Sequence, residues 1–431
     1  MDQEQPVLRV GIISDMQTHA YEGDWGMSNT VKAFHMLAEM KIDVLVNGGD
    51  IADQGDDPAP LYRYQEHFHA CFKEKLPAQI ACAGNHDFWS HPEAGNRSQA
   101  EIYEEFCRIF GYPHTDPVSI RVSGYDFIAF STDNERDYSP EDCEKLLRPV
   151  LEKSATENPG KPIFLVTHYH PKETCIGGYN KWSGKVGLRQ VLNDFPQVVS
   201  ISSHTHRPLE DERCIWQGEF TAVNTSTLSY IGIDERCANQ VGGIPPYARE
   251  GVQMMVMDIY RDRLVFRRYN VEDRREIKLD RPWIVSLPYS PENPVYSFER
   301  RAAVRTAPRF KPGTQLLFRV DYGFIYLLFE GAEHDDFTHF YRVAITEIFP
   351  DGSEGETKSY TYISNFYRLE RNQDPRQSFR LPPNSMEKGK TYRFDVYPVE
   401  TFGKEGAPIT VTCPTPFNYP FRNMEEIGPQ E

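Results

Sequence analysis

Five apolar runs in this chain each end on a side chain able to bind a metal ion. Leu8 to Ser14 runs into Asp15, with Gln17 two residues on, and Val44 to Gly49 runs into Asp50. Ala78 to Gly84 is followed by Asn85-His86-Asp87, Ile163 to Thr167 by His168, and Val198 to Ser203 by His204-Thr205-His206. Carboxylate, amide and imidazole donors in this mixture suit Mn²⁺ or Fe, and Zn²⁺ also accepts them. The i, i+2 spacing of Asp15/Gln17 and of His204/His206 lets both members of a pair point the same way from extended backbone. Gly48, Gly49 and Gly84 permit tight turns and close backbone approach beside the donors.

The elements that must position these residues alternate in type. Strands are expected at Leu8 to Ser14, Ile42 to Asn47, Gln79 to Ala83, Tyr125 to Ser131, Pro162 to Thr167 and Val198 to Ser202. Helices are expected at Asn29 to Met40, Leu61 to Lys75, Glu101 to Phe110 and Val186 to Asp194. That alternation predicts an α/β layered core. In open α/β sheets, ligands bind outside the carboxyl ends of the strands, so five endings in one sheet converge on one site. From Phe220 to Val271 the pattern turns to strands.

At 431 residues the chain exceeds the usual reach of a single core, which predicts two domains. The formal charge of −16 argues against a broad nucleic-acid or anionic-membrane surface. No apolar stretch approaches the roughly 18 residues of a spanning helix, and Gln315 to Glu330, interrupted by Arg319, Asp321 and Gly323, reads as two strands around a turn. The start Met1-Asp2-Gln3-Glu4-Gln5-Pro6 has neither a basic nor an apolar run, and the eight cysteines show no CxxC pair. A cytoplasmic protein with reduced cysteines is expected. The reading places one domain at 1–280, a Pro-rich linker at 281–296 around Pro282, Pro288, Pro291 and Pro294, and an all-β sandwich at 297–431.

Asp15-Met16-Gln17, Gly49-Asp50, Gly84-Asn85-His86-Asp87, His168 and His204-Thr205-His206 stand in the order of the calcineurin-like metallophosphoesterase motifs, over about residues 7 to 271. The resemblance implies a four-layer αββα sandwich holding two metal ions. Carried over by position, it implies that Asp15, Gln17, Asp50 and His206 bind one ion, and that Asp50, Asn85, His168 and His204 bind the other. Asp50 would bridge the two. Ions about 3.5–4 Å apart can activate a bridging hydroxide and stabilise an in-line displacement at phosphorus. The resemblance also makes His86 the group that contacts the phosphate and protonates the leaving oxygen, with Asp87 orienting its neighbours. The small carboxy-terminal domain resembles a fibronectin type III or immunoglobulin-like module, with Tyr392 to Val399 opening its last hairpin.

Two positions depart from the family pattern. Gln17 stands where most members have His, which shifts preference toward Mn²⁺ or Mg²⁺, with His19 as a substitute donor. Ser203 replaces the Gly before His204, a packing change. Around the site, His170 can exchange roles with His168, Lys181 and Trp182 can offer a cation and an aromatic face to substrate, and Asn224 can line the pocket. The other histidines, such as His35, His67, His69, His91 and His114, read as structural or surface groups. Gly49 to Asp53 is followed by Gln54-Gly55, and Ala83 precedes Gly-Asn-His-Asp. Both differ from the arginine-bearing motifs of the protein serine/threonine phosphatases and disfavour a phosphoprotein phosphatase. The reading is a hydrolase of a small phosphodiester or diphosphate; a phosphomonoesterase of the same fold and a non-catalytic scaffold are the alternatives.

Overall fold

The computed structural model describes residues 4–89, 97–131, 137–176, 184–233, 235–321 and 324–415. They form two compact units, one of the residues up to 233 with Ala248–Phe298, the other of Glu235–Tyr247 with the residues from Glu299 on.

The first unit is built on two sheets. Strands β1 (Leu8–Ile13), β2 (Val44–Asn47) and β3 (Ala78–Ala81) run parallel in the order β1-β2-β3. Strands β5 (Tyr125–Phe130), β6 (Ile163–Thr167), β7 (Val198–Ser202) and β9 (Thr221–Asn224) run parallel in a second sheet. Antiparallel strands complete each. β10 (Gln253–Ile259) pairs with β1 and β11 (Arg263–Asn270) with β10, while β4 (Val118–Val122) pairs with β5 and β8 (Ile215–Gln217) with β9.

Side chains alternate across each strand, and that period of two makes the layers. Val10 and Ile12 of β1 pack in one core with Phe164 and Val166 of β6, Val199 and Ile201 of β7, and Val44 and Val46 of β2. Ile13 and Leu45, facing the other way, pack with Phe34 and Leu37 of helix α1 (Trp25–Glu39), Tyr64 and Phe68 of α2 (Ala59–Cys71), and Phe106 of α4 (Gln99–Phe110). Ile163 and Leu165 pack with Leu151 of α6 (Arg148–Glu157) and Leu188 and Val191 of α7 (Val186–Leu192). The result is a helix–sheet–sheet–helix sandwich, as expected. The expected convergence of five strand ends in one sheet is corrected in one respect: three belong to one sheet and two to the other.

The helix caps follow ordinary chemistry. Asp24 caps α1 by accepting from Met27 N–H at 2.7 Å, and Ser98 with Glu101 forms a capping box at α4. A helical run from α5 (Pro140–Asp142) through a π turn (Cys143–Leu147) into α6 was not anticipated, although Ser139-Pro140-Glu141-Asp142 is a helix-start signature. Within 281–296, read as linker, β13 (Trp283–Ser286) pairs antiparallel with β11. Trp283 is buried, and its indole N–H donates to Glu212 at 2.8 Å, where Lys278 (2.8 Å) and Arg268 (3.0 Å) also converge.

The second unit is a β-sandwich. β14 (Leu317–Asp321), β15 (Phe324–Glu330) and β18 (Arg376–Arg380) make one sheet; β16 (Phe340–Ile348), β17 (Glu354–Ile363), β19 (Thr391–Val399) and β20 (Ile409–Pro414) make the other. Leu327, Phe329 and Phe379 meet Tyr341, Val343, Phe394 and Val396 in its core. Residues 235–247, placed in the first domain by the sequence reading, pack in this unit. Ala238 N–H donates to Thr361 at 2.7 Å and Asn239 exchanges two 3.0 Å bonds with Ile363, which covers part of the β17 edge. No helix among the described residues is long and apolar enough to cross a membrane.

Candidate metal centre

The loops that leave β1 and β2 are laced together. Asp15 N–H donates to Gly49 C=O at 3.0 Å and Gln17 N–H to Asp50 C=O at 2.9 Å. The β6 and β7 loops join in the same way through Ser203 N–H and His168 C=O at 2.9 Å. The two pairs meet at Gly48, whose carbonyl accepts from His168 Nδ1 at 2.9 Å and from the Ser203 hydroxyl. Ser203, where the family pattern has Gly, therefore ties one sheet to the other.

This lacing holds unusual backbone. Asp15, Gln17, Asp50, His204 and His206 all have positive φ, at 50°, 47°, 52°, 69° and 51°. Each such non-glycine residue costs about 1 kcal/mol or more, and such strain gathers at functional sites. Gly84 is required for a different reason. A Cβ there would lie 2.3 Å from Asp50 Oδ1 and 2.7 Å from His168 Nδ1.

Asp50, His168 and His204 offer donor atoms within 4.8 Å of one another. Asn85 Oδ1 lies 3.0 Å from His168 Nε2, and His168 Nε2 lies 3.2 Å from both Asp50 Oδ2 and His204 Nδ1. Beside them, His206 Nε2 lies 3.2 Å from Asp15 Oδ1. His168 and His206 share one device. Each spends Nδ1–H on a backbone carbonyl, Gly48 at 2.9 Å and Tyr230 at 2.8 Å, which fixes the ring and aims Nε2 at a carboxylate.

The residues present fit divalent ions. Asp15 Oδ1 and Asp50 Oδ2 are buried and accept no hydrogen bond from the described residues, an arrangement that an ion held between carboxylate and imidazole would relieve. Each faces an imidazole Nε2 at 3.2 Å, the edge spanned by two donors that each sit about 2.0–2.2 Å from a shared ion. Burial raises the Asp50 carboxyl, but the His168 charge and contact, with His86 and His204 behind it, hold it below the usual carboxylate range. Burial and the His168 charge push His204 down, so that ring is neutral, the form that coordinates.

His86 sits at the mouth of this cluster. Its N–H donates to Asp50 Oδ1 at 2.9 Å, and its Nδ1 donates to Asp53 C=O at 3.0 Å with the Asp53 carboxylate 3.4 Å away. Burial lowers this imidazole, but Asp53 and Asp50 outweigh it and raise it to about 9. Gln17 Nε2 is 3.1 Å from His86 Nε2, while Gln17 Oε1 accepts from Ser229 at 3.1 Å. A 180° turn of that amide presents its oxygen instead. Asp87 accepts from Ile51, Ala52 and Gly84 N–H at 2.9–3.0 Å and so clamps the β2 loop to the β3 loop.

The other expected residues fall elsewhere. His170 is buried, with neither ring nitrogen hydrogen-bonded among the described residues, and burial with the Lys185 and Arg207 charges lowers it to about 4; His168 is the histidine on Asp50. Asn224 braces the His204–His206 turn through Thr205 at 2.7 Å and Ser203 C=O at 3.0 Å. His19 stands 3.9 Å from Asp53 and stacks on Tyr21. Lys181 and Trp182 lie outside the described residues. Sequence reasoning missed Tyr169, whose ring lies 4.3 Å from His204 and whose hydroxyl reaches Asn85 at 3.3 Å. It also missed Tyr230, 4.4 Å from the His206 ring, Trp89 beside His86, and the Asp53 contact to His86. Asp53, three residues after Asp50, and Tyr169, between two histidines, were the legible signals.

The family model for calcineurin-like phosphoesterases matches residues 8–208. This span is a calcineurin-like phosphoesterase domain. The chain containing it is similar to a dimetal phosphatase from Danio rerio at 14% identity, over 66% of this chain and 100% of that one, with a TM-score of 0.41. It is similar to a purple acid phosphatase from yellow lupin (Lupinus luteus) at 13% identity, over 66% and 54%, with a TM-score of 0.45. A human fibronectin III domain is similar at 15% identity, over 26% of this chain and 87% of that one, with a TM-score of 0.20. No curated protein matches the chain in sequence. All seven residues read from the sequence as candidate metal donors lie within the matched span.

Proposed function

We propose that this protein is a binuclear-metal phosphodiesterase acting on a small diester or diphosphate. The observation that carries the reading is the convergence of Asp15, Asp50, Asn85, His168, His204 and His206, most of them on left-handed backbone, with Gln17 at the edge. Asp50, Asn85, His168 and His204 would hold one ion, and Asp15, Gln17, His206 and Asp50 the other; Mn²⁺ or Fe suits the mixture best, and Zn²⁺ or Mg²⁺ also fits. When bound, the ions supply an acidified water as nucleophile and positive charge for the transferring phosphoryl group.

The chain's own residues do the rest. His86, anchored at Nδ1 by Asp53, keeps Nε2 toward the site and delivers its proton to the leaving oxygen. Asp87 and Gly84 set the Asp50 and Asn85 loops at the spacing the donors need. A diester carries one negative charge and a monoester nearly two, so the Asp53 carboxylate and the net charge of −16 oppose a diester less.

The test is hydrolysis of bis(p-nitrophenyl) phosphate and p-nitrophenyl phosphate by chelator-stripped protein supplied with Mn²⁺. Metal-dependent diester cleavage, falling about 10²–10⁴-fold in His86→Ala, is expected. Cleavage of the monoester alone would overturn the diester preference. No turnover by folded, metal-loaded protein would overturn the enzyme reading.

A further inference from the structure

Trp89 occupies a position that core packing does not explain. It follows the short helix α3 (Asn85–Phe88), and its backbone is pinned on both sides. Trp89 N–H donates to His86 C=O at 3.1 Å, and Trp89 C=O accepts from Gly55 N–H at 2.8 Å. The approach that allows the second bond needs Gly55, where a Cβ would fall 1.7 Å from Asp87 C=O. Yet the Trp89 side chain is 46% exposed. Its ring lies 3.9 Å from the His86 ring at a 38° tilt. An exposed ring on a fixed backbone, set against the histidine at the mouth of the metal centre, is placed to meet a ligand there.

A second exposed aromatic surface lies beyond Asp53. The Asp53 carboxylate that faces His86 Nδ1 at 3.4 Å faces His19 Nε2 at 3.9 Å with its other oxygen. His19 stacks on Tyr21 at 5.4 Å and 17°, and Tyr21 is 60% exposed. The exposed Trp89 ring thus borders His86, the group read above as the proton donor to the leaving oxygen. A substituent on that oxygen comes within reach of the Trp89 ring.

We infer that Trp89 is a specificity-determining residue, and that the substrate carries a flat unsaturated ring on its leaving-group side, stacked on the Trp89 face. This inference rests on the phosphoesterase reading and names a substrate class within it. Tryptophan is the strongest common stacking platform for such rings, and stacking tolerates different rings because each has a π-face. The ring can belong to an aryl ester, close to phosphorus, or to a nucleoside, one sugar away.

The test is calorimetric binding to Mn²⁺-loaded protein of methylphosphonate, phenylphosphonate and a non-hydrolysable adenosine phosphonate. Wild type, Trp89→Ala and Trp89→Tyr are compared. Either ring-bearing ligand should bind wild type about tenfold tighter than methylphosphonate, a difference of about 1.4 kcal/mol. Trp89→Ala should remove that preference while leaving methylphosphonate affinity unchanged, and Trp89→Tyr should keep most of it. Which ring gains most identifies an aryl or a nucleoside substrate. Equal affinity of wild type for all three ligands would overturn the inference and leave the phosphoesterase reading standing. A ring preference that survives in Trp89→Ala would also overturn it. Failure of methylphosphonate itself to bind would overturn both.

Discussion

The substitution Gly84→Ala separates the metal centre from general stability. Gly84 has φ −100° and ψ −174°, which alanine adopts without strain, so the cost is steric alone. The added Cβ would lie 2.3 Å from Asp50 Oδ1 and 2.7 Å from Asp50 N and from His168 Nδ1. All three distances are below any ordinary carbon contact, and Asp50 and His168 are almost wholly buried, so neither can swing into solvent. The Asp50 carboxylate must move, and Oδ1 then loses the 2.9 Å bond from His86 N–H. Overpacking of one methyl group costs about 1–3 kcal/mol. Gly111, with φ 69° and nothing within 4 Å of an added Cβ, is the control, because alanine there costs about 1–2 kcal/mol through backbone strain and touches nothing. Urea unfolding should therefore place both variants below wild type by similar amounts. Metal analysis after dialysis against Mn²⁺ should show Gly84→Ala losing bound metal and diesterase activity together, with Gly111→Ala retaining both. A Gly84→Ala protein with wild-type metal content and turnover would refute the argument that the Asp50 carboxylate has no room to shift.

Other outcomes follow from the same geometry. Glu212 gathers Lys278, Arg268 and the Trp283 indole away from the metal centre; burial raises its carboxyl, but the Lys278 and Arg268 charges outweigh that and hold it below the usual carboxylate range. A lowered folded value means its contribution is complete above the unfolded value and is lost as pH falls through the folded one, so Glu212→Gln should cost about 3 kcal/mol at pH 7. Denaturant unfolding across pH should show that deficit constant down to about pH 5 and shrinking below it. Asp53→Asn removes the carboxylate 3.4 Å from His86 Nδ1, and should lower kcat about tenfold at unchanged metal content, as read by steady-state kinetics and metal analysis. His170→Leu should leave metal content intact and stability equal or higher, since neither His170 ring nitrogen is hydrogen-bonded among the described residues, whereas His168→Ala should lose metal; the reverse pattern would reassign the ligand.

Much of this arrangement was legible in the residues because strand ends and donor types coincide. Asp50 and His204-Thr205-His206 follow apolar runs too short to be helices, and a β-strand that stops on a carboxylate or imidazole has little else to do with it. The observed strands Leu8–Ile13, Ile163–Thr167 and Val198–Ser202 lie within a residue of expectation, because their runs are bounded by charged, proline or donor residues. The division of the five ends between two sheets was not legible, since parallel strands buried on both faces carry no alternation to say which sheet they join. The left-handed backbone at Asp15, Gln17, Asp50, His204 and His206 was hidden for a related reason: nothing in an Asp or His announces positive φ, which long-range bonds such as Asp15 N–H to Gly49 impose. Trp89 and Tyr230 escaped notice because aromatics are read first as core. Residues 235–247 were assigned by chain order, but the Ala238 backbone bond to Thr361 and the Asn239 side-chain bonds with Ile363 place them with the second unit.

One buried carboxylate, Asp50, would join both halves of the proposed two-ion centre. The direct measurement is the number of Mn²⁺ ions bound per chain, by isothermal titration and elemental analysis, for wild type and Asp50→Asn. Two ions are expected in wild type and less than one in Asp50→Asn, with His86→Ala still binding two. A wild-type protein that binds one ion or none, or an Asp50→Asn protein that keeps both, would contradict it.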